Sequence, residues 1–191
     1  MLKKITDLTY KIENLAAEGG LVYKVACEYY REVIQKEAVL ANITATDHIL
    51  CIGGGICPFS AILFHQLTGA KVTVADNNRT CIPKAKDVID KMGLAENIRV
   101  IHQDGTCDKA CFAQYTVVHL ALQVSPMEQV FSVVQNGMAK GARLLVRRPK
   151  KQLDSMYSEL CDAALDCCPY TTHKSRNIGS TALYVKQAED A

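Results

Sequence analysis

The chain has 191 residues, 49% apolar, 22% charged and 6% aromatic, the balance of one ordinary globular domain and neither a collagen-like nor a disordered chain. Twenty-two basic against 20 acidic side chains leave a formal charge of +2, short of the basic footprint of a dedicated nucleic-acid binder. A domain of this size buries roughly 70% of its unfolded surface, so the 9 cysteines are expected as packing or chemistry, not as staples.

No apolar run follows Met1-Leu2-Lys3-Lys4, and no stretch approaches the roughly 18 apolar residues of a membrane span. With an odd cysteine count at scattered spacings, the expectation is a cytoplasmic chain in a reducing compartment. Leu2 to Glu18 and Leu21 to Asn42 read as helices parted by Gly19-Gly20, the natural place for a stop and restart. They would form an N-terminal helical cap over residues 1–46.

From 47 to 191 the pattern alternates within one compact unit. His48–Ile52, Lys71–Ala75, Ile98–His102, Tyr115–Leu122 and Ala142–Arg147 are short aliphatic runs with amphipathic helical stretches between them. Strand and helix in alternation predict a three-layer α/β, Rossmann-like sheet, mostly parallel and covered on both faces. Pro169–Ser175 and Ser180–Lys186 are joined only by Arg176-Asn177-Ile178-Gly179. That link is too short for a crossover helix, so the chain should end in an antiparallel hairpin.

Chemistry begins where the first strand runs into Gly53-Gly54-Gly55 and a helix opens at Pro58. Glycines there permit positive φ and close approach of a ligand to the backbone, and the helix start offers amide donors. Val72-Thr73-Val74-Ala75-Asp76 places a carboxylate at the end of the second strand, 23 residues after Gly53, suited to accept from both hydroxyls of a ribose. Asn77 follows it. Ile101-His102-Gln103-Asp104-Gly105-Thr106 ends the third strand with a second acid, placed to accept from an adenine amino group. A nucleoside ligand is expected.

These residues resemble the class I S-adenosylmethionine-dependent transferases, and within them the nicotianamine synthases. The likeness rests on Ile52-Gly53-Gly54-Gly55-Ile56-Cys57-Pro58-Phe59-Ser60, on the acidic second strand, on the Asp104 segment, and on Val118-His119-Leu120-Ala121-Leu122 as the strand lining the cofactor cleft. Lys140 to Arg147 and Asn177 to Lys186 complete it, over residues 28–187. The terminal hairpin fits that fold, by analogy, better than a nicotinamide-binding domain. The resemblance implies S-adenosylmethionine as cofactor, held by Gly53, Gly54, Gly55, Asp76, Asn77, Asp104, Gly105, Thr106 and Leu120. Glu28-Tyr29-Tyr30-Arg31 and Ile34 to Ala38 are similar to the family's tyrosine-rich, acidic helix before the sheet, which puts Tyr29, Tyr30 and Glu37 forward as catalytic residues.

Arg147 and Arg148 fall at the C-terminal end of the fifth strand, the edge where open sheets bind ligands, and are expected to meet a carboxylate-bearing substrate. The histidines lack metal-ligand spacing, and Cys107 and Cys111 would need a third cysteine where Gln114 stands, so no metal site is expected. Cys161, Cys167 and Cys168 read as small apolar residues. The function expected first is methyl transfer to a small molecule, because only about 46 residues precede the sheet where nicotianamine synthases carry a longer helical part. Transfer of the 3-amino-3-carboxypropyl group is the alternative. A nicotinamide oxidoreductase and a cofactor-binding module without chemistry stand behind these. Neither nucleic acid nor membrane is expected as a partner, and self-association stays open. Valine at Gly54 or Gly55 is expected to block the ligand and spare the fold.

Overall fold

The computed structural model describes residues 21–160 and 165–187, with side chains from 24 onward. The helix read over residues 2–18, and Cys161, lie outside the described residues.

A long helix α1 (Leu21–Leu40) leads into β1 (His48–Ile52), α2 (Phe59–Thr68), β2 (Lys71–Asp76), α3 (Cys81–Lys91) and β3 (Ile98–His102). β4 (Val117–Leu120), α4 (Met127–Gly137), β5 (Arg143–Pro149), β6 (Tyr170–Thr172) and β7 (Ile178–Val185) follow. The sheet runs β3-β2-β1-β4-β5-β7-β6. β1 to β5 pair parallel, and β7 lies antiparallel between β5 and β6. This is the expected mostly parallel α/β sheet with its antiparallel C-terminal hairpin.

The period of two along each strand divides the core. Ile49, Cys51, Val72, Val74, Val117, Leu145 and Leu183 join the α1, α2 and α3 side, where Ile34, Ile62, Phe64 and Ile89 pack. Leu50, Ile52, Val118, Leu120, Leu144, Val146 and Ala182 face the other way, onto Val130, Phe131 and Val134 of α4. Each fully buried aliphatic or phenyl group adds about 1.5–3 kcal/mol. Burial on both faces explains why these strands read as unbroken apolar runs.

Several boundaries differ from the sequence reading, most of them by one to three residues. β4 begins at Val117 because the Tyr115 amide is used in a turn onto the Phe112 carbonyl at 3.1 Å. It ends at Leu120, since Val124 N–H closes a turn on the Ala121 carbonyl at 3.1 Å. β7 takes up Ile178 and Gly179, and a Cβ on Gly179 would lie 2.7 Å from the Pro149 carbonyl oxygen. Only glycine lets the hairpin return that close to β5.

At the opposite edge, the strand starts are tied by polar groups. The Thr116 hydroxyl donates to Asp47 at 2.7 Å and accepts from the His48 amide at 3.0 Å. Arg143 pairs with Asp47 and donates to the Ala41 carbonyl at 2.6 Å. Arg143 therefore belongs to the scaffold, and the open edge of the sheet is the C-terminal one.

Candidate active-site cleft

At the C-terminal edge of β1, β2, β4 and β5, a cleft of about 300 Å³ opens under α1. Gly53, Gly54 and Gly55 form one wall, with Asp76 and Asn77 beside them. Gly53 and Gly55 have φ of 83° and 64°, a region that costs a residue with a Cβ roughly 1–2 kcal/mol. Asp76 holds this loop: its carboxylate accepts from the Gly55 amide and the Asn78 amide, each at 2.8 Å. One outer lone pair on each oxygen is left for a ligand's hydroxyls.

Gly54 corrects one expectation. A Cβ there would lie 2.1 Å from Val74 Cγ1, so the absent side chain makes room for β2 rather than for a ligand. Valine at 54 therefore cannot spare the fold.

Tyr29 and Tyr30 both line the cleft, although neighbours on a helix point about 100° apart. Tyr30 stacks on Phe59 at 5.7 Å, and the Arg147 guanidinium sits 5.7 Å from its ring centroid. Tyr29 meets the Tyr30 ring edge-on at 5.0 Å. Its hydroxyl accepts from the Arg176 amide at 3.1 Å and the Asn177 amide at 3.4 Å, tying α1 to the hairpin turn. Tyr29→Phe should cost about 1 kcal/mol of stability and loosen the turn that carries Asn177 and Ile178 into the cleft. Amide hydrogen exchange at Arg176 and Asn177 reads this directly; protection equal to wild type would mean that the hydroxyl restrains nothing.

The floor is a buried polar cluster. Arg147 donates from Nε and Nη2 to the two oxygens of Glu37, both at 2.8 Å. Thr181 donates to Glu37 Oε1 at 2.7 Å, and Thr181 Oγ1 pairs with His173 Nε2 at 2.8 Å. Glu37 is 0% and Arg147 4% exposed. Burial alone would raise the Glu37 carboxyl, but the Arg147 charge and hydrogen bonds outweigh it and carry it down to about 2. Burial opposes the Arg147 charge too, and Glu37 more than restores it. A carboxylate so held is a poor general base, and Glu37 itself does not reach the cleft wall; it positions Arg147. His119 Nε2 stands 3.6 Å from Glu37 Oε2, beyond hydrogen-bond reach, and neither ring nitrogen has a partner. Burial, then the Arg147 charge, holds His119 down at about 3, and burial pushes the Cys51 thiol up to about 12.

The remaining sequence candidates stand away from the cleft wall. Leu120 is fully buried in the α4-side core, and the residues after it, Ala121 and Leu122, do the lining. Asp104 turns one oxygen onto the Thr106 amide and hydroxyl, both at 2.8 Å, and these bonds lower its pKa. A Cβ on Gly105 would meet Val130 at 2.9 Å, so that glycine serves packing against α4. Arg148, one residue on from Arg147, takes the opposite side of β5 and lies outside the lining. Tyr157, Gln123 and Asn177 line the cleft and were missed. Each sits in a loop or turn, where sequence periodicity carries no signal.

No protein-family model matches the chain, and no curated protein matches it by sequence. Among solved structures, the chain is similar to a point mutant of MtNAS in complex with S-adenosylmethionine, at TM-score 0.79 and 19% identity, over 97% of this chain and 76% of that one. It is equally similar to MtNAS in complex with MTA and tNA, at TM-score 0.79 and 20% identity, over 97% and 74%. An RNA methyltransferase from Salinibacter ruber in complex with S-adenosyl-L-homocysteine follows at TM-score 0.66 and 16% identity, over 84% and 94%. Likeness at these identities is likeness of fold, and the fold of this chain is that of the class I S-adenosylmethionine-dependent methyltransferases.

Proposed function

We propose that this chain is an S-adenosylmethionine-dependent transferase acting on a small molecule, and that it moves the 3-amino-3-carboxypropyl arm. The observation that carries the reading is the glycine wall with Asp76 at one end of the cleft and the Tyr30–Arg147–Glu37 floor at the other. The residues present fit a nucleoside: a cradle of about 300 Å³ is at the lower end of the range for ligand pockets, and Asp76 is fixed where a ribose would need an acceptor. Asn77 lies beside it in the cleft lining.

The order of the two group-transfer readings is the reverse of the sequence expectation. The sequence puts methyl transfer first because the roughly 46 residues before the sheet keep the donor site and fall short of the longer helical acceptor scaffold of nicotianamine synthases. α1 supplies a cap all the same: Tyr29 and Tyr30 reach the cleft, and Glu37 fixes an arginine in its floor. The similarity to MtNAS also spans this cap, since it covers 97% of the chain. When bound, the sulfonium supplies an electrophilic carbon whose bond to sulfur breaks with the electron pair going to sulfur. The protein's part is to align the acceptor and exclude water, for which Tyr30, Tyr157 and the Gly53–Gly55 wall are placed. In this reading the setting is reducing and cytoplasmic, α1 is the cap, and the sheet from β1 onward with its helices is the nucleotide-binding unit.

Mass spectrometry of products from S-adenosylmethionine and a metabolite extract tests the reading. Methylthioadenosine is expected; S-adenosylhomocysteine alone would restore methyl transfer, and NAD binding without S-adenosylmethionine binding would overturn both. Asp76→Ala should weaken nucleoside binding by about 1.5–3 kcal/mol, as for hydrogen bonds to a charged acceptor. Unchanged affinity in calorimetry would reduce Asp76 to a brace for the glycine loop.

A further inference from the structure

We propose, resting on the transferase reading above, that the cleft floor is a carboxylate subsite that takes up one proton on His119 when it fills. The floor as it stands is electrically neutral: Arg147 is cancelled by Glu37, and the other groups there are imidazoles and a thiol. Arg147 gives its Nε and Nη2 to Glu37. Since Arg147 lines the cleft and Glu37 does not, the guanidinium offers its remaining edge to a ligand. A carboxylate is the group that matches that edge. Seating one leaves a single guanidinium between two carboxylates, so the floor itself gains one negative charge while the ligand's ammonium lies beyond the carboxylate, and a site of low dielectric does not tolerate that charge uncompensated.

His119 is the group placed to cancel it. It is 0% exposed, with both ring nitrogens unpartnered and Nε2 already 3.6 Å from Glu37 Oε2. An unpaired buried imidazole is costly in the free protein, and the cost is recovered once a protonated Nε2 closes on that oxygen. The titratable groups facing His119 are Glu37 and Tyr30 on α1, Cys51 on β1, Arg147 on β5 and, behind Thr181, His173 at the hairpin. Phe64 of α2 covers its ring edge-on at 5.4 Å. Without ligand, burial and Arg147 keep His119 neutral. A ligand carboxylate cancels the repulsion from Arg147 and leaves the attraction of Glu37, so the proton enters from solvent onto His119. His173 has its Nε2 engaged by Thr181, and the Cys51 thiol carries its proton in either state. The carboxylate could come from the donor's own aminocarboxypropyl arm or from an amino-acid acceptor.

Calorimetry of the full chain in buffers of different ionisation enthalpy measures the proton. If the arm fills the floor, S-adenosylhomocysteine should bind with uptake of about one proton near neutral pH and methylthioadenosine, which lacks the arm, with none. If an acceptor fills it, the uptake should appear instead when L-alanine is titrated onto protein saturated with methylthioadenosine. Either pattern supports the subsite. His119→Gln and His119→Phe should abolish the uptake and weaken the carboxylate-bearing probe about tenfold, while methylthioadenosine affinity stays. Nitrogen NMR of labelled histidine should show His119 becoming protonated on binding. Binding of both nucleosides with no uptake for any probe, or uptake that survives in both His119 variants, overturns the subsite and leaves the transferase reading intact. Failure of wild type to bind either nucleoside overturns the transferase reading, and the subsite with it.

Discussion

Glu37→Ala is expected to destabilise the fold by about 3–5 kcal/mol, the usual cost of stranding one member of a buried ion pair. The carboxylate removed is fully buried and accepts from Arg147 twice and from Thr181 once, so its loss leaves a buried guanidinium uncompensated. Replacing both partners together, as Glu37→Leu with Arg147→Met, should recover most of the loss, because no charge is then left without its partner. Urea unfolding checks this, and a double variant no more stable than Glu37→Ala would mean that packing, not charge, sets the cost. The same pair makes the protein acid-labile. Glu37 ionises at about 2 in the fold against 4.5 in the free side chain, so the unfolded chain binds that proton first. The pair's contribution is complete above 4.5 and is lost as pH falls toward 2. His119, at about 3 against 6.5, acts in the same direction and starts earlier, since the unfolded imidazole charges below 6.5 while the buried one does not. Stability should therefore rise with pH through both windows. A urea midpoint that stays flat across them would show that neither group is held as the structure has it.

What the sequence made legible follows from local chemistry. The strands β1 to β5 announce themselves because both faces are buried and the runs are purely aliphatic, and Asp76 is found by its distance from the glycines within one strand–helix–strand unit. The hairpin is legible from the shortness of its link. The floor is not legible, because its partners are far apart in the chain: Arg147 meets Glu37 across 110 positions and Thr181 meets Glu37 across 144. Taken alone, Glu37 reads as a base; paired, it holds Arg147 in place, and Arg147 keeps only the edge away from Glu37 for a ligand. Gly105 and Leu120 show the opposite error. They lie in segments similar to a cofactor site, and their own side-chain positions serve the core on the α4 side.

Gly54→Val should unfold the domain or destabilise it by more than the roughly 1–3 kcal/mol of ordinary overpacking. The clash is at the first atom added, since an ideal Cβ stands 2.1 Å from Val74 Cγ1 and 3.8 Å from Pro58 Cβ, and no rotamer choice moves a Cβ. Val74 cannot retreat, because it is 0% exposed and its strand is paired on both sides, to Cys51 in β1 and to Val100 in β3. The glycine wall therefore owes its shape to two separate demands. Gly53 and Gly55 supply positive φ, and Gly54 supplies the space through which the loop lies flat on β2, bringing the Gly55 amide to Asp76. Val74→Ala removes the two methyl groups, including the one the new Cβ would strike, so the double variant Gly54→Val with Val74→Ala should regain part of the lost stability. Thermal unfolding of the two single variants and the double variant measures that coupling. Simple additivity would mean that the valine at 54 is accommodated elsewhere and that the close packing of loop on strand is not what requires glycine.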